Sequence, residues 1–132
     1  MPRHRRGWAV GGGGGEYPVR HSPLALSMLE PALLILLKEH PGHGYTMLAD
    51  LEALGMSTIH PSVVYRTLRE MEELGWIQSN WDTEQTQGPP RRTYQLTAIG
   101  EEALFNWQHE LGKTRDLITQ LINRFEKKER SK

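Results

Sequence analysis

The stretch PSVVYRTLREMEELGWIQSNWD, residues 61–82, contains two periodicities that meet at one glycine. In its first part Val64, Leu68 and Met71 fall at i, i+4 and i+7, one inward face of a helix, and Leu74 extends that face. Pro61 suits the first helical position, where its missing N–H has no helical partner to lose. Gly75 ends the helix. Residues 76–82 then alternate and read as a strand. The outer face of the helix holds Ser62, Tyr65, Arg66, Arg69 and Glu73.

Working outward, TEQTQGPP (residues 83–90) reads as a turn stiffened by its prolines, and RRTYQLT (residues 91–97) alternates again. Tyr94 and Leu96 share one face, so the two runs form a hairpin with a longish loop. Thr97 is a good N-cap for a helix over the remaining residues. Leu104, Trp107, Leu111, Thr114, Ile118, Leu121 and Phe125 step by three and four, the a/d seam of a helix that packs on another helix. That helix runs to about residue 127 and is roughly 45 Å long. It outreaches so small a core, so its distal half needs a partner, most simply a second copy of the chain.

On the other side, LEPALLILLKEHPGHG (residues 29–44) holds a helix with Pro31 at its first position and Pro41 and Gly42 at its end. Leu33, Leu34, Ile35, Leu36 and Leu37 surround it with apolar side chains, which predicts burial. Residues 23–28 add an earlier turn. YTMLADLEALG (residues 45–55) is a further helix, with Met47, Leu48, Leu51 and Leu54 at helical spacing and Gly55 as C-cap. The link MSTIHP joins it to the helix at Pro61.

Composition narrows the function. There is no cysteine, which excludes disulfides, thiolate nucleophiles and cysteine-based zinc sites. No apolar run approaches the ~20 residues that span a bilayer. The N-terminal arginines precede no apolar stretch, so no secretory signal is read and a cytoplasmic protein is expected. Net charge is zero, which by itself argues against nucleic acid, but its distribution is uneven. Residues 1–21 carry four arginines and one glutamate, residues 88–97 two arginines and no acid, and residues 113–132 seven bases and three acids. The acids concentrate at 50–73. Residues 1–21, with RHRR and GGGGG, read as a flexible basic arm: a solvated tail, or one that touches phosphates.

Helix, helix, short link, helix and hairpin is the order of a winged helix-turn-helix. The expected fold is mainly α with a small β-hairpin wing, residues 22–97, followed by a long C-terminal dimerisation helix, residues 98–132. Arg91 and Arg92 then project from a stiff wing towards phosphates or a minor groove. The start of the third helix offers Ser62 and free N–H groups to a major groove, with Thr58 and His60 in the link before it. Arg66 and Arg69 lie three apart on its outer face, and arginine can pair bidentately with guanine. The alternative for these two is pairing with Glu70 and Glu73 on a solvated surface.

Three segments together resemble the PadR-type transcriptional regulators: LLILLKEHPGHGYTML, PSVVYRTLREMEELGWIQSNWD and GPPRRTYQLTAIGEEAL, in order and without large gaps over about residues 29–104. The resemblance implies a dimeric, effector-responsive repressor on an inverted-repeat operator. The single C-terminal helix resembles the short subgroup, which lacks a separate C-terminal domain. Tyr45 and Tyr65 match positions at the DNA face of this family; their other reading is as core aromatics. The glycine-rich arm is not part of the family pattern, so no role passes to Arg3, Arg5 or Arg6.

The resulting expectations are double-stranded DNA and a second copy as partners. Self-contacts are expected at Leu104, Trp107, Leu111, Ile118, Leu121, Ile122 and Phe125. Trp107 reads as interface core, or as the wall of a pocket for a small aromatic or hydrophobic effector. His40, His43 and His60 lack a carboxylate pattern that would complete a metal site, so no metal is expected. No catalytic motif stands out and GGGGG lacks the Lys-Ser/Thr of a phosphate loop, so neither an enzyme nor a cofactor is expected. A protein-interaction module that uses the winged helix as a docking platform is the competing reading, and the neutral charge favours it slightly.

Overall fold

Leucine on nearly every side of one helix forces that helix to the centre of whatever packs around it. In the computed structural model, which describes residues 23–56, 58–82 and 91–130, this helix is α2 (Leu29–Glu39), preceded by the short α1 (Pro23–Ser27). Leu29, Leu33, Leu34 and Leu37 are buried, and each such side chain contributes about 1.5–3 kcal/mol on leaving water. α2 begins at Leu29, two residues before the expected start. Pro31 therefore lies inside the first turn, where a missing N–H still costs no helical bond. Ile35, expected inside, is 40% exposed. It faces a groove towards the C-terminal helix rather than the core.

α3 (Gly44–Ala53) and α4 (Pro61–Glu73) pack on α2 through Met47 and Leu51, and through Val64, Leu68 and Met71. Both end in the same way. Gly55 (φ 92°) and Gly75 (φ 82°) take the left-handed conformation that a side chain disfavours. Gly75 N–H donates to the Glu72 carbonyl, and Trp76 N–H to that of Met71, each at 3.0 Å. The equivalent bonds at Gly55 and Met56 reach Glu52 and Leu51, so each end is a Schellman motif. Helical register stops before Leu74, which is the C-cap and is 55% exposed instead of extending the inner face. Trp76 belongs to this turn, and the strand starts one residue later than its alternation suggested.

The sheet has three strands, one more than the sequence predicts. β1 (Gly42–His43) pairs antiparallel with β3 (Arg91–Leu96), which pairs antiparallel with β2 (Ile77–Asp82), in the order β1-β3-β2. Ile77 faces Leu96 and Trp81 faces Arg92 across β2 and β3, while His43 faces Thr93 across β1 and β3. Ile77 and Tyr94 seal the sheet onto the helices. The proline turn at 83–90 and the basic arm at 1–21 lie outside the described residues.

α5 (Ala98–Arg130) is a single helix of 33 residues, roughly 50 Å long at ~1.5 Å per residue. Thr97 caps it as its sequence predicts: the hydroxyl accepts from Gly100 N–H at 3.0 Å. The same hydroxyl lies 2.6 Å from the Gly75 carbonyl oxygen and 3.0 Å from that of Trp76, and Thr97 N–H donates to Trp76. A Cβ on Gly100 would stand 2.0 Å from the Trp76 carbonyl oxygen. Helix start, strand end and helix-turn are thus joined at one point. Gly100 and Ala103 are the buried residues of α5, and Leu104 and Trp107 pack half-buried against the core. Residues 119–130 are all exposed.

Candidate nucleic-acid interface

The helix-turn-helix and the wing meet on one side of the molecule. α4 starts after His60, whose Nδ1 accepts from Ser62 N–H at 3.1 Å and lies 2.9 Å from Ser62 Oγ. His60 and Ser62 therefore order the N-terminus of α4, a role the sequence reading did not assign to them. Thr58, His60, Ser62, Arg66 and Arg69 are exposed. Tyr45 and Tyr65 are exposed by 49% and 38%, so neither is a core aromatic. Tyr65 lies against the start of α3: a Cβ on Gly44 would stand 2.4 Å from its Cε1. Only glycine at 44 lets that ring lie beside the residue preceding Tyr45.

The two wing arginines diverge. Neighbours on a strand point to opposite faces, and each guanidinium finds an aromatic ring. Arg91 lies 4.7 Å from the centroid of Tyr45, and its Nη1 donates to the Tyr45 hydroxyl. Arg92 lies 5.0 Å from the centroid of Trp81. Trp81, 58% exposed, was missed as a candidate. The available signal was parity: it shares the face of Ile77, but four residues further on, beyond the reach of the core. Ser79 Oγ donates to Glu72 Oε2 at 2.7 Å, tying the last turn of α4 to the wing. Beneath them burial pushes the Tyr94 hydroxyl above its ordinary pKa; Glu72 adds to this, and Arg92 opposes it.

Among the described residues neither Arg66 nor Arg69 forms an ion pair, so pairing with Glu70 and Glu73 is not realised. Arg66 also borders a cleft of about 320 Å³ whose walls include Leu26, Val63, Glu70 and Trp107. Trp107 lines a second cleft, of about 380 Å³, with Trp76, Ile99 and Ala103. A wider apolar groove, about 830 Å³, runs between α2 and α5, bordered by Ile35, Leu104 and Leu111. The expected self-contact residues thus divide. Leu104 and Trp107 lean on their own core, Leu111 and Ile118 are half-buried, and Leu121, Ile122 and Phe125 are exposed by 50–65%. Among the described residues there is no group of three or more His, Asp or Glu side chains that could hold a metal ion, and no helix long and apolar enough to cross a membrane.

Comparison with known proteins places this architecture. The fold is similar to that of a PadR family transcriptional regulator from Eggerthella lenta, at 26% identity and a TM-score of 0.66, covering 75% of this chain and 85% of that one. A PadR-like transcriptional regulator from Bacillus cereus is similar at 22% identity and a TM-score of 0.68, over 76% and 97% of the two chains. A PadR family transcription regulator from Clostridium difficile gives 22% and 0.63, over 72% and 98%. A search of curated proteins found no match. The Transcriptional regulator PadR-like family matches residues 33–106, more than half of the sequence and the whole of the helix-turn-helix and wing. The chain belongs to the PadR-like family of transcriptional regulators.

Proposed function

We propose that this regulator binds double-stranded DNA sequence-specifically as a homodimer and represses transcription from an inverted-repeat operator. The observation that carries the reading is the contact of Arg91 with Tyr45, which joins wing and helix-turn-helix into one face. On that face Ser62 and the N-terminus of α4 enter a major groove, Tyr45, Tyr65, Arg66 and Arg69 flank it, and Thr58 and His60 border it. Arg91 and Arg92 meet phosphates or the adjoining minor groove. Trp81 lies beside Arg92 on the wing and joins this set.

The exposed Leu121, Ile122 and Phe125 and the groove along Leu104 and Leu111 support a second copy as the partner of α5. A small aromatic or hydrophobic effector against Trp107 would lie beside Arg66, at the rim of the reading helix. A coupling of about 1–3 kcal/mol between the two sites changes affinity ~5–150-fold, enough for release. The protein acts in the cytoplasm.

The experiment is a salt titration of binding to a duplex selected from a random pool by the protein itself, with an unrelated duplex as control. The selected duplex binds more tightly, and the double variant Arg91→Ala/Arg92→Ala loses about two units of salt slope, at ~0.9 per phosphate. Equal, weak binding of both duplexes refutes the reading and leaves a protein-docking role for the winged helix.

A further inference from the structure

His43 occupies the N-cap of α3 without capping it. The side chains favoured there accept a bond from the helix's own first N–H groups. Here the imidazole nitrogens reach the wing instead. Its Nδ1 lies 3.2 Å from the Arg92 carbonyl oxygen and 3.5 Å from Thr93 Oγ1. Its Nε2 lies 3.9 Å from Asp82 Oδ2. The ring stacks on Tyr45 with centroids 5.4 Å apart and planes 8° apart. One side chain therefore touches both wing strands and the aromatic ring that carries Arg91.

We propose that His43 is a positioning residue for DNA binding: it holds both wing arginines in the DNA-facing arrangement without itself meeting a phosphate. The inference rests on the DNA-binding reading above. Nδ1–H donating to the Arg92 carbonyl fixes the backbone from which the Arg92 side chain leaves towards Trp81. The stacked ring holds Tyr45 in the plane that the Arg91 guanidinium covers and to whose hydroxyl it donates. An arginine ordered before binding loses less side-chain freedom when it meets its target, and two such side chains make that difference measurable. The two residues of β1 gain a purpose from this: their pairing with Thr93 and Tyr94 brings His43 alongside β3.

The test uses the full chain and its His43→Ala and His43→Asn variants, beside Arg91→Ala/Arg92→Ala. The probe is a fluorescent duplex selected from a random pool by the parent protein. His43→Ala is expected to weaken binding roughly five- to tenfold at fixed salt, with the salt slope of the parent, because no phosphate contact is lost. The arginine variant loses slope. Asparagine places an N–H near the position of Nδ1 and is expected to restore part of the affinity. Amide relaxation of residues 91–93 in the DNA-free protein is expected to show greater mobility in His43→Ala than in the parent.

Binding by His43→Ala within twofold of the parent overturns the proposal. So does a fall of about one unit in its salt slope, which makes the imidazole itself a phosphate contact. If the parent fails to prefer the selected duplex, the DNA-binding reading is refuted, and the free-protein relaxation still decides whether His43 holds the wing. If His43→Ala does not fold, His43→Asn is read against His43→Phe, which keeps the stacked ring and loses both nitrogens. Equal wing mobility and equal binding in that pair overturn the proposal.

Discussion

Replacing Gly100 by alanine separates two opposed physical effects by the sign of one number. Alanine in a helix is about 1 kcal/mol more favourable than glycine, so on propensity alone Gly100→Ala stabilises α5. Packing predicts the reverse. The added methyl stands 2.0 Å from the Trp76 carbonyl oxygen, 2.9 Å from its carbon and 2.8 Å from Leu96 Cδ1. That oxygen cannot step aside easily, because it accepts from Thr97 N–H and lies 3.0 Å from the Thr97 hydroxyl. Overpacking costs about 1–3 kcal/mol, more where backbone must move, so after the propensity gain the net loss is about 2 kcal/mol. For a domain of roughly 100 residues this lowers Tm by about 8–16 °C. The assay is circular dichroism against temperature at one fixed protein concentration, since self-association shifts Tm. An unchanged or raised Tm refutes the account of this joint.

Three further outcomes are expected. Thr97→Ala removes the cap of α5 and its bonds to the 75–76 turn, and costs about 1–2 kcal/mol in urea titration. Leu121→Glu with Phe125→Glu leaves the head folded but weakens self-association by roughly a thousandfold or more, read as halved mass by light scattering. Tyr94 has a folded-state pKa above its ordinary value of 10.0, because burial disfavours the phenolate. Its stabilising contribution is complete below pH 10 and disappears as pH rises through the folded value. The alkaline fall in denaturation midpoint is therefore shallower in Tyr94→Phe than in the parent.

The parts of the fold legible in sequence were those set by local rules. Pro61, Gly55, Gly75 and Thr97 mark helix ends by backbone chemistry that needs no tertiary context, and each stands where that chemistry requires. The inward face of α4 came from spacing alone. Ile35 and Leu74 did not, because an apolar residue in a leucine-dense run carries no label for the side it faces. β1 was invisible because two residues have no periodicity; only β3 alongside makes them a strand. Tyr45, Tyr65, Arg91 and Arg92 were legible as candidates, by resemblance or by position in the wing. The pairing of Arg91 with Tyr45, and of Arg92 with Trp81, arises from residues far apart in the chain and emerged with the fold. Arg66 was read as an outward arginine facing DNA; that it also borders the cleft at Trp107 emerged with the fold.

The knot of Thr97, Gly100 and the Trp76 carbonyl has a mechanical meaning. It leaves no hinge between the sheet and α5: the cap bond, the close backbone approach and the turn that ends α4 share the same few atoms. The long helix is therefore a lever fixed to the head. A rotation of the head by ~5°, carried along ~50 Å of helix, displaces the far tip by ~4 Å. Read in the other direction, a shift of a few ångströms at the tip turns the whole head, with the reading helix and wing moving as one piece.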